Sequence, residues 1–446
     1  MKFMVHFFLG IMLALVVALQ ASDQIPAPPQ QTPIALVGGT IFPIKGEPIE
    51  NGTLLFDKGK IVAIGTTVEI PDNCRVISVK GLRVYPALIA ANTVIGLVEI
   101  PAVRATRDFA EVGDIKPNVR AETAINPDSE IIPVTRANGI GLALSVPQRG
   151  LISGTSALIM LDGWTWEQMT LKTPVALHVR WPRMTIQRGP RVKQSPAEQQ
   201  KAIDERIQKI RQAFADARAY WKAKQAEKER GVPYHDTDMR WEAMIPVLKG
   251  DVPVFVHANT VKEMKAAIAW AEEEGIRLVI VGGYDAWRIT DELNAKNIPV
   301  ILAGVHRLPL RRWEAYDTPF TVAAKLHSAG VKFCIATEGS PFGAAHERNL
   351  PYHAATAAAY GLPREEALKA VTLYAAEILG VADRVGSLEV GKDATLMVTT
   401  GDPLEITTQV QQLFIQGRQI DLNNRHTQLY QKYLEKYRQL QLIPAE

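Results

Sequence analysis

Through its long middle the sequence alternates apolar runs with helix-forming stretches. A chain of this kind has few options, because strands separated by helices pair in parallel with the helices packed outside them. The runs are Ala87–Asn92, Gly139–Val146, Ala157–Leu161, Val175–Trp181, Val252–His257, Arg277–Val281, Ile298–Ala303 and Val331–Ala336. Two intervening helices carry explicit start signals. Thr260-Val-Lys-Glu263 is a capping box with Gly275 as its stop, and Ser195-Pro-Ala-Glu198 is another with Pro196 at the favoured first helical position. The second helix is long and charged. Its apolar stripe, Ile203, Ile207, Ile210, Phe214, Ala217 and Trp221, fits an insertion (195–231) that packs one face onto the body.

The ends have a different character. Short strand patterns at Ile34–Val37, Thr53–Phe56, Lys60–Ile64 and Arg75–Val79 are punctuated by Gly38-Gly39, Asn51-Gly52, Lys58-Gly59 and Asp72-Asn73. The pattern returns at Gly386–Val398 and Gln409–Ile415. Early and late β segments around an α/β middle imply one discontinuous β-sandwich domain, 34–85 with 386–422, into which residues 86–385 are inserted. Residues 423–446 read as a C-terminal helix.

At the start, Lys2 precedes an apolar run from Phe3 to Leu19, and Ala21 offers a small residue before Ser22. This is the form of a signal peptide over 1–21, and an uncleaved anchor is the alternative. Export to the periplasm or the exterior is expected in either case. The Pro- and Gln-rich residues 22–33 read as an extended tether. A net charge of +3 on 446 residues favours no partner, and no basic run with interleaved aromatics suggests a nucleic-acid surface. With only two cysteines, Cys74 and Cys334, two separate thiols are expected.

Four segments carry a family resemblance. Tyr85-Pro-Ala-Leu-Ile-Ala-Ala-Asn-Thr-Val-Ile-Gly-Leu97 resembles the Pro-Gly-Leu-Ile-Asp-x-His-x-His entry to the first barrel strand of the amidohydrolase superfamily. Gly52–Gly65 resembles that family's opening β strands. Glu366–Gly380 with Gly386–Ala394 resembles its closing helices and its return to the sandwich. The likeness spans Ile34 to Asp421 and is nearest to the imidazolonepropionase-like exported branch. It implies a TIM-type (β/α)8 barrel carrying a composite β-sandwich. It also implies hydrolysis of a non-peptide carbon–nitrogen bond, in a cyclic amide or similar small molecule, at the C-terminal mouth of the barrel. In such sites one or two divalent metals, held by histidines and carboxylates, activate water.

Position by position, most of these ligands are replaced. The first-strand histidines read Asn92 and Val94, and the aspartate reads Ala90. In Gly282-Gly-Tyr-Asp-Ala286 a glycine stands where the resemblance expects the sixth-strand histidine, and the eighth-strand Thr-Asp becomes Thr337-Glu338. What remains is His178, His257 and Glu338. The resemblance would make the histidines ligands of one divalent metal such as zinc, with Glu338 as general base. Without a metal, the same mouth would be an inactive barrel that binds a small ligand or a partner, with Asn92 and His257 as ordinary hydrogen-bonding residues. A metal-free acid–base pair of Glu338 and His257 is a third option.

Other residues have two readings each. Arg136 could hold a substrate carboxylate, or Arg136-Ala-Asn-Gly139 could simply be a helix end. Trp164, in Asp162-Gly-Trp-Thr-Trp-Glu167, could wall the mouth or pack under the insertion. Gly150–Ser156 could cradle an anion or be a plain loop between strands. Glu347–Pro351 could line the mouth, and the flanking His346 and His353 read as solvated. Oligomeric state is unspecified.

Overall fold

The computed structural model describes residues 24–227, 229 and 231–444, so the signal-peptide segment 1–21 lies outside the described residues. The first strands are β1 (Ile34–Ile41), β2 (Ile49–Asp57), β3 (Lys60–Gly65), β4 (Arg75–Ser78) and β5 (Arg83–Pro86). The barrel region holds β6 (Leu88–Thr93), β7 (Ile140–Ser145), β8 (Ile152–Thr155), β9 (Ala157–Met160), β10 (Thr170–Lys172), β11 (Leu177–Arg180), β12 (Val254–Ala258), β13 (Leu278–Gly282), β14 (Val300–Ala303) and β15 (Phe333–Ala336). The last strands are β16 (Leu396–Thr399), β17 (Val410–Ile415) and β18 (Arg418–Ile420).

The two ends of the chain share one eight-stranded sheet, ordered β18-β17-β16-β5-β1-β2-β3, with β4 also paired to β1. The junction is the antiparallel pairing of β16 with β5, Leu396 opposite Pro86 and Met397 opposite Tyr85. Ile34, Leu36, Leu54, Phe56, Val84, Leu396 and Phe414 form a core of their own within this sheet, and Phe56 meets Phe414 edge-on at 5.1 Å. The segment before β1 is not a free tether. Ala27 N–H donates to Asp162, and Gln30 binds both Gly59 N–H and Phe56 C=O.

The middle of the chain is TIM-barrel-like. Strands β6 and β7 pair in parallel, as do β11 through β15 in succession. These strands are almost wholly buried, as two covered faces require. The third strand position departs from expectation. It is held by β8 and β9, which flank Ser156 and run against their neighbours, β9 antiparallel to β7 and β8 antiparallel to β11. The predicted parallel unit at Ala157–Leu161 is therefore corrected. Only the turn before Ile152 separates β7 from β8, whereas a parallel crossover needs about a dozen residues or more. For the same reason the predicted glycine-rich loop at Gly150–Ser156 is in large part strand β8. No ladder joins β15 back to β6, so the sheets stop short of a closed hydrogen-bonded ring.

The eight-stranded sheet lies against β7. A side chain at Gly139 would strike Met397, and one at Gly141 would crowd Ala87 and Thr395. The long insertion forms a helix over Pro196–Ala226, started by the Ser195–Glu198 capping box. It buries Ile203, Ile210, Phe214 and Ala217, as its stripe predicts, and ion-pairs through Arg218 with Glu274. The helix Val261–Glu274 starts at the Thr260–Glu263 box and stops at left-handed Gly275. Cys74 and Cys334 are free thiols.

Candidate functional site

The C-terminal ends of the parallel strands converge on a mouth. Successive side chains of a strand alternate between faces, so His178 and Arg180 of β11 share one face. In register, His178 lies opposite Phe255 of β12, and Arg180 lies opposite His257. The His178 ring is fully buried, with Phe255 edge-on at 5.5 Å. Its Nδ1 lies 2.9 Å from His257 Nε2, one nitrogen donating to the other. Burial, and then the nearby Arg180 charge, hold both imidazoles well below the usual histidine range, so the pair is neutral at pH 7. The remaining nitrogen of His178, Nε2, is buried without a partner.

This geometry does not fit a metal. Zinc–nitrogen bonds of about 2.0–2.1 Å put two imidazole nitrogens of a tetrahedral site roughly 3.3 Å apart, both lone pairs aimed at the ion. Here the nitrogens are closer and face each other through a proton. Glu338 lies exposed at the end of β15, its Cγ 2.8 Å from where a Gly304 side chain would begin. Its charge acts on Tyr284 and Arg307. Among the described residues no group of three His, Cys, Asp or Glu side chains is placed to hold a metal ion. The sixth-strand position is closed to histidine by its backbone. Gly282 has φ of +106°, and a Cβ there would lie 2.2 Å from Asn259 Oδ1.

Asn92 acts as a staple. It is buried, and its Nδ2 donates to Thr337 C=O at 3.2 Å, tying the first barrel strand to the last where the ladder is missing. Gly339, at φ +65°, leaves room for that amide: a Cβ there would lie 2.4 Å from Asn92 Nδ2. Thr337 Oγ1 in turn donates to Glu347 at 2.8 Å. Glu347 thus sits behind the mouth rather than lining it, with no exposed surface. Val94 is wholly in the core.

Burial raises the Glu347 carboxyl to about 7, with the Thr337 and Thr93 hydroxyls pulling the other way. Its ordinary value is 4.5. Between these values the folded chain keeps a proton that the unfolded chain loses, so stability falls as pH rises and levels off above about 7. Glu347→Gln is expected to remove this slope and to raise stability at pH 8 by about 3 kcal/mol. Urea midpoints at pH 5 and pH 8 measure it, and a slope unchanged in the variant would rule it out.

Two other predicted site residues lie at the opposite end of the barrel. Because β9 is antiparallel to β7, the loop after it emerges beside the start of β7, where Leu161 N–H meets Gly141 C=O. Trp164 is exposed there. Arg136 is buried, with its guanidinium held by Asp162 at 2.8 Å, Leu161 C=O and Gln24. The reversed strand keeps Trp164 from the mouth, whereas Arg136 ends the helix Ile131–Arg136 that leads into the start of β7 and so lies at that same end. His353, read as solvated, is instead buried, stacked on His306 at 4.1 Å and pushed down to about 3 by burial.

Arg180 was not singled out from the sequence. Its Nε donates to Ser153 Oγ at 3.3 Å and its Nη2 to Pro147 C=O at 3.2 Å. Neither partner is charged, and burial alone lowers the guanidinium to about 10. The Leu-His-Val-Arg alternation could have pointed to it, since it puts a cation on the face of His178.

Barrel, shared sheet and mouth define an amidohydrolase-like protein, and a sequence model of the amidohydrolase family matches residues 167–420. The chain belongs to that family. It is similar in structure to an amidohydrolase from Thermotoga maritima MSB8, at 27% identity and a TM-score of 0.76, covering 87% of this chain and 99% of that one. It is 23% identical over 394 residues to Amidohydrolase tasK of Hapsidospora irregularis, spanning 82% of this chain and 39% of that protein. It is 26% identical over 148 residues to an Imidazolonepropionase of Brucella abortus (strain 2308), spanning 33% of this chain and 35% of that protein. The chain thus spans less than half the length of these two relatives.

Proposed function

We propose that this protein is an exported amidohydrolase-family barrel whose mouth binds a small organic molecule without a resident metal. The observation that carries the reading is the direct 2.9 Å bond between the two remaining candidate ligands, His178 and His257. Asn92, as a strand staple, agrees with it, since its amide serves the fold in place of a ligand. The apolar run before Ala21 supports export. In this reading 34–85 and 386–422 form the composite sandwich domain and 86–385 the barrel. No helix among the described residues is long and apolar enough to cross a membrane.

The test is elemental analysis of the purified chain after dialysis, repeated after adding zinc. Less than a stoichiometric trace in both samples is expected. About one tightly held ion per chain would overturn the reading. It would restore hydrolysis of a carbon–nitrogen bond, with Glu338 as base, and direct screening to cyclic amides. The family name and the hydrolase names of the relatives favour that second reading.

A further inference from the structure

We infer that the C-terminal helix Arg425–Gln439 lies along the surface of an anionic lipid bilayer and docks the barrel there. The inference is independent of what the mouth holds. The helix starts at a cap, with Asn424 Oδ1 accepting from His426 and Thr427 N–H. Among the described residues it is the only α-helix of at least eight residues that buries no side chain. A helix of 15 residues is marginal in water by itself, and proteins hold such helices by packing an amphipathic face. Here the face is present and open to solvent. Leu429, Tyr430, Tyr433, Tyr437 and Leu440 are all exposed. At about 100° per residue they fall within about 100° of the helix circumference, an arc that His426 shares at the first turn. Arg425, Lys432 and Lys436 are exposed too. They stand within about 60° of Leu429, along one border of the arc. The only acid of the helix, Glu435, lies beside Arg438.

An apolar arc bordered by cations suits a helix that lies in a membrane boundary. Its rings enter the headgroup layer, and the lysine stems carry their charges up to the lipid phosphates. The tyrosines argue against a second copy of the chain as the occupant. The hydroxyls of Tyr430, Tyr433 and Tyr437 make no hydrogen bond among the described residues. A dry seam between two helices would bury them unpaired, whereas a membrane boundary keeps one end of each ring wet. A second observation points to the same side of the body. Asp162 takes both Ala27 N–H and Arg418, and Arg136 takes Gln24, so one cluster fastens the start of the described chain and the strand that leads to the helix. Asn424 and His426 share a recess with Val134 and Asn138, next to that Arg136. Ile25 and Trp164 are exposed beside the cluster. Under the proposed export, the apolar run Phe3–Leu19 ahead of Gln24 is the segment that meets the membrane, which brings lipid to the side where the helix begins.

The test is co-sedimentation of the chain from Ser22 onward, which keeps every described residue, with two kinds of vesicle. One is pure phosphatidylcholine, and in the other about a third of the lipid is phosphatidylglycerol. Wild type is expected to bind the anionic vesicles at least about tenfold more tightly than the neutral ones, and to lose most of that preference at about 1 M salt. Lys432→Glu combined with Lys436→Glu should abolish the preference. Tyr433→Ser combined with Tyr437→Ser should weaken binding to anionic vesicles by at least about tenfold. Both variants should melt with wild type, because the helix buries nothing against the body. Equal binding to the two vesicles, or binding to neither, would overturn the inference. So would variants that bind as wild type does, which would move the contact to another surface. A variant that melts well below wild type would show the face packed on the body and overturn it too. A wild-type dimer in sedimentation equilibrium that the tyrosine variant loses would assign the face to a second copy and overturn the lipid docking. None of these outcomes touches the elemental analysis of the mouth.

Discussion

Asp162→Ala is expected to lower the stability of the chain by about 3–5 kcal/mol, the usual loss when one partner of a buried ion cluster is removed. The carboxylate is almost fully buried where three parts of the chain meet. Its Oδ1 takes Arg136 at 2.8 Å, and its Oδ2 takes Arg418 at 2.8 Å and Ala27 N–H at 3.2 Å. Alanine would strand the Arg136 guanidinium, itself 3% exposed, in a space that cannot hydrate it. It would also release β18 and the segment before β1, since Arg418 and Ala27 anchor them to the barrel at this point. The urea midpoint at pH 7 should drop sharply, and protease should cut first near residues 24–33. A midpoint within experimental error of wild type would mean that the cluster contributes nothing net.

Trp270→Ala should have an effect of similar size, about 3–5 kcal/mol, from a different cause. Trp270 is the largest fully buried side chain, on the helix Val261–Glu274. Phe214 of the insertion helix meets it perpendicularly at 4.9 Å, and Trp181, just past β11, lies tilted at 5.5 Å. Its removal opens a cavity at the junction of three elements, which the surrounding long helix can only partly fill. Phe214→Ala combined with Trp270→Ala should lose less than the two single changes added together. The coupling should be about 0.5–1.5 kcal/mol, the worth of the ring pair beyond its area. Strict additivity in a double-mutant cycle would show that the insertion helix is held by something other than this contact.

Local chemistry was the most legible part of the sequence. The boxes at Ser195 and Thr260 involve residues three apart, so no tertiary information is needed to see them. The positions of the barrel strands were legible too, because buried strands are apolar throughout. Their direction was not: Ala157–Leu161 is equally apolar whichever way it runs, and only the short turn after β7 excludes a crossover. That one reversal is why Trp164, one of whose two readings was a wall of the mouth, lies at the other end of the barrel. At Asn92 and Gly282 the departure from the resembled pattern was plain in the sequence, but what these residues do in the fold was hidden. A staple between Asn92 and Thr337 joins residues far apart in sequence, and the crowding at Gly282 comes from Asn259 through backbone geometry. The pairing of His178 with His257 depends on the register of two strands separated by the whole insertion.

The reversed strand also bears on the order in which the molecule is made. A hairpin in place of a crossover brings no helix to cover the outside of β7, and that surface is covered instead by the eight-stranded sheet through Met397 and Thr395. Those residues are synthesised long after β7. Each such contact closes a long loop, and loops of this kind slow folding and leave apolar strands open in the meantime. The wall of the barrel at β7 therefore stays unfinished until β16 has been translated, so the chain cannot complete its fold domain by domain from the N-terminus. Under the proposed export this delay would have a use, since a chain that folds late stays threadable for longer.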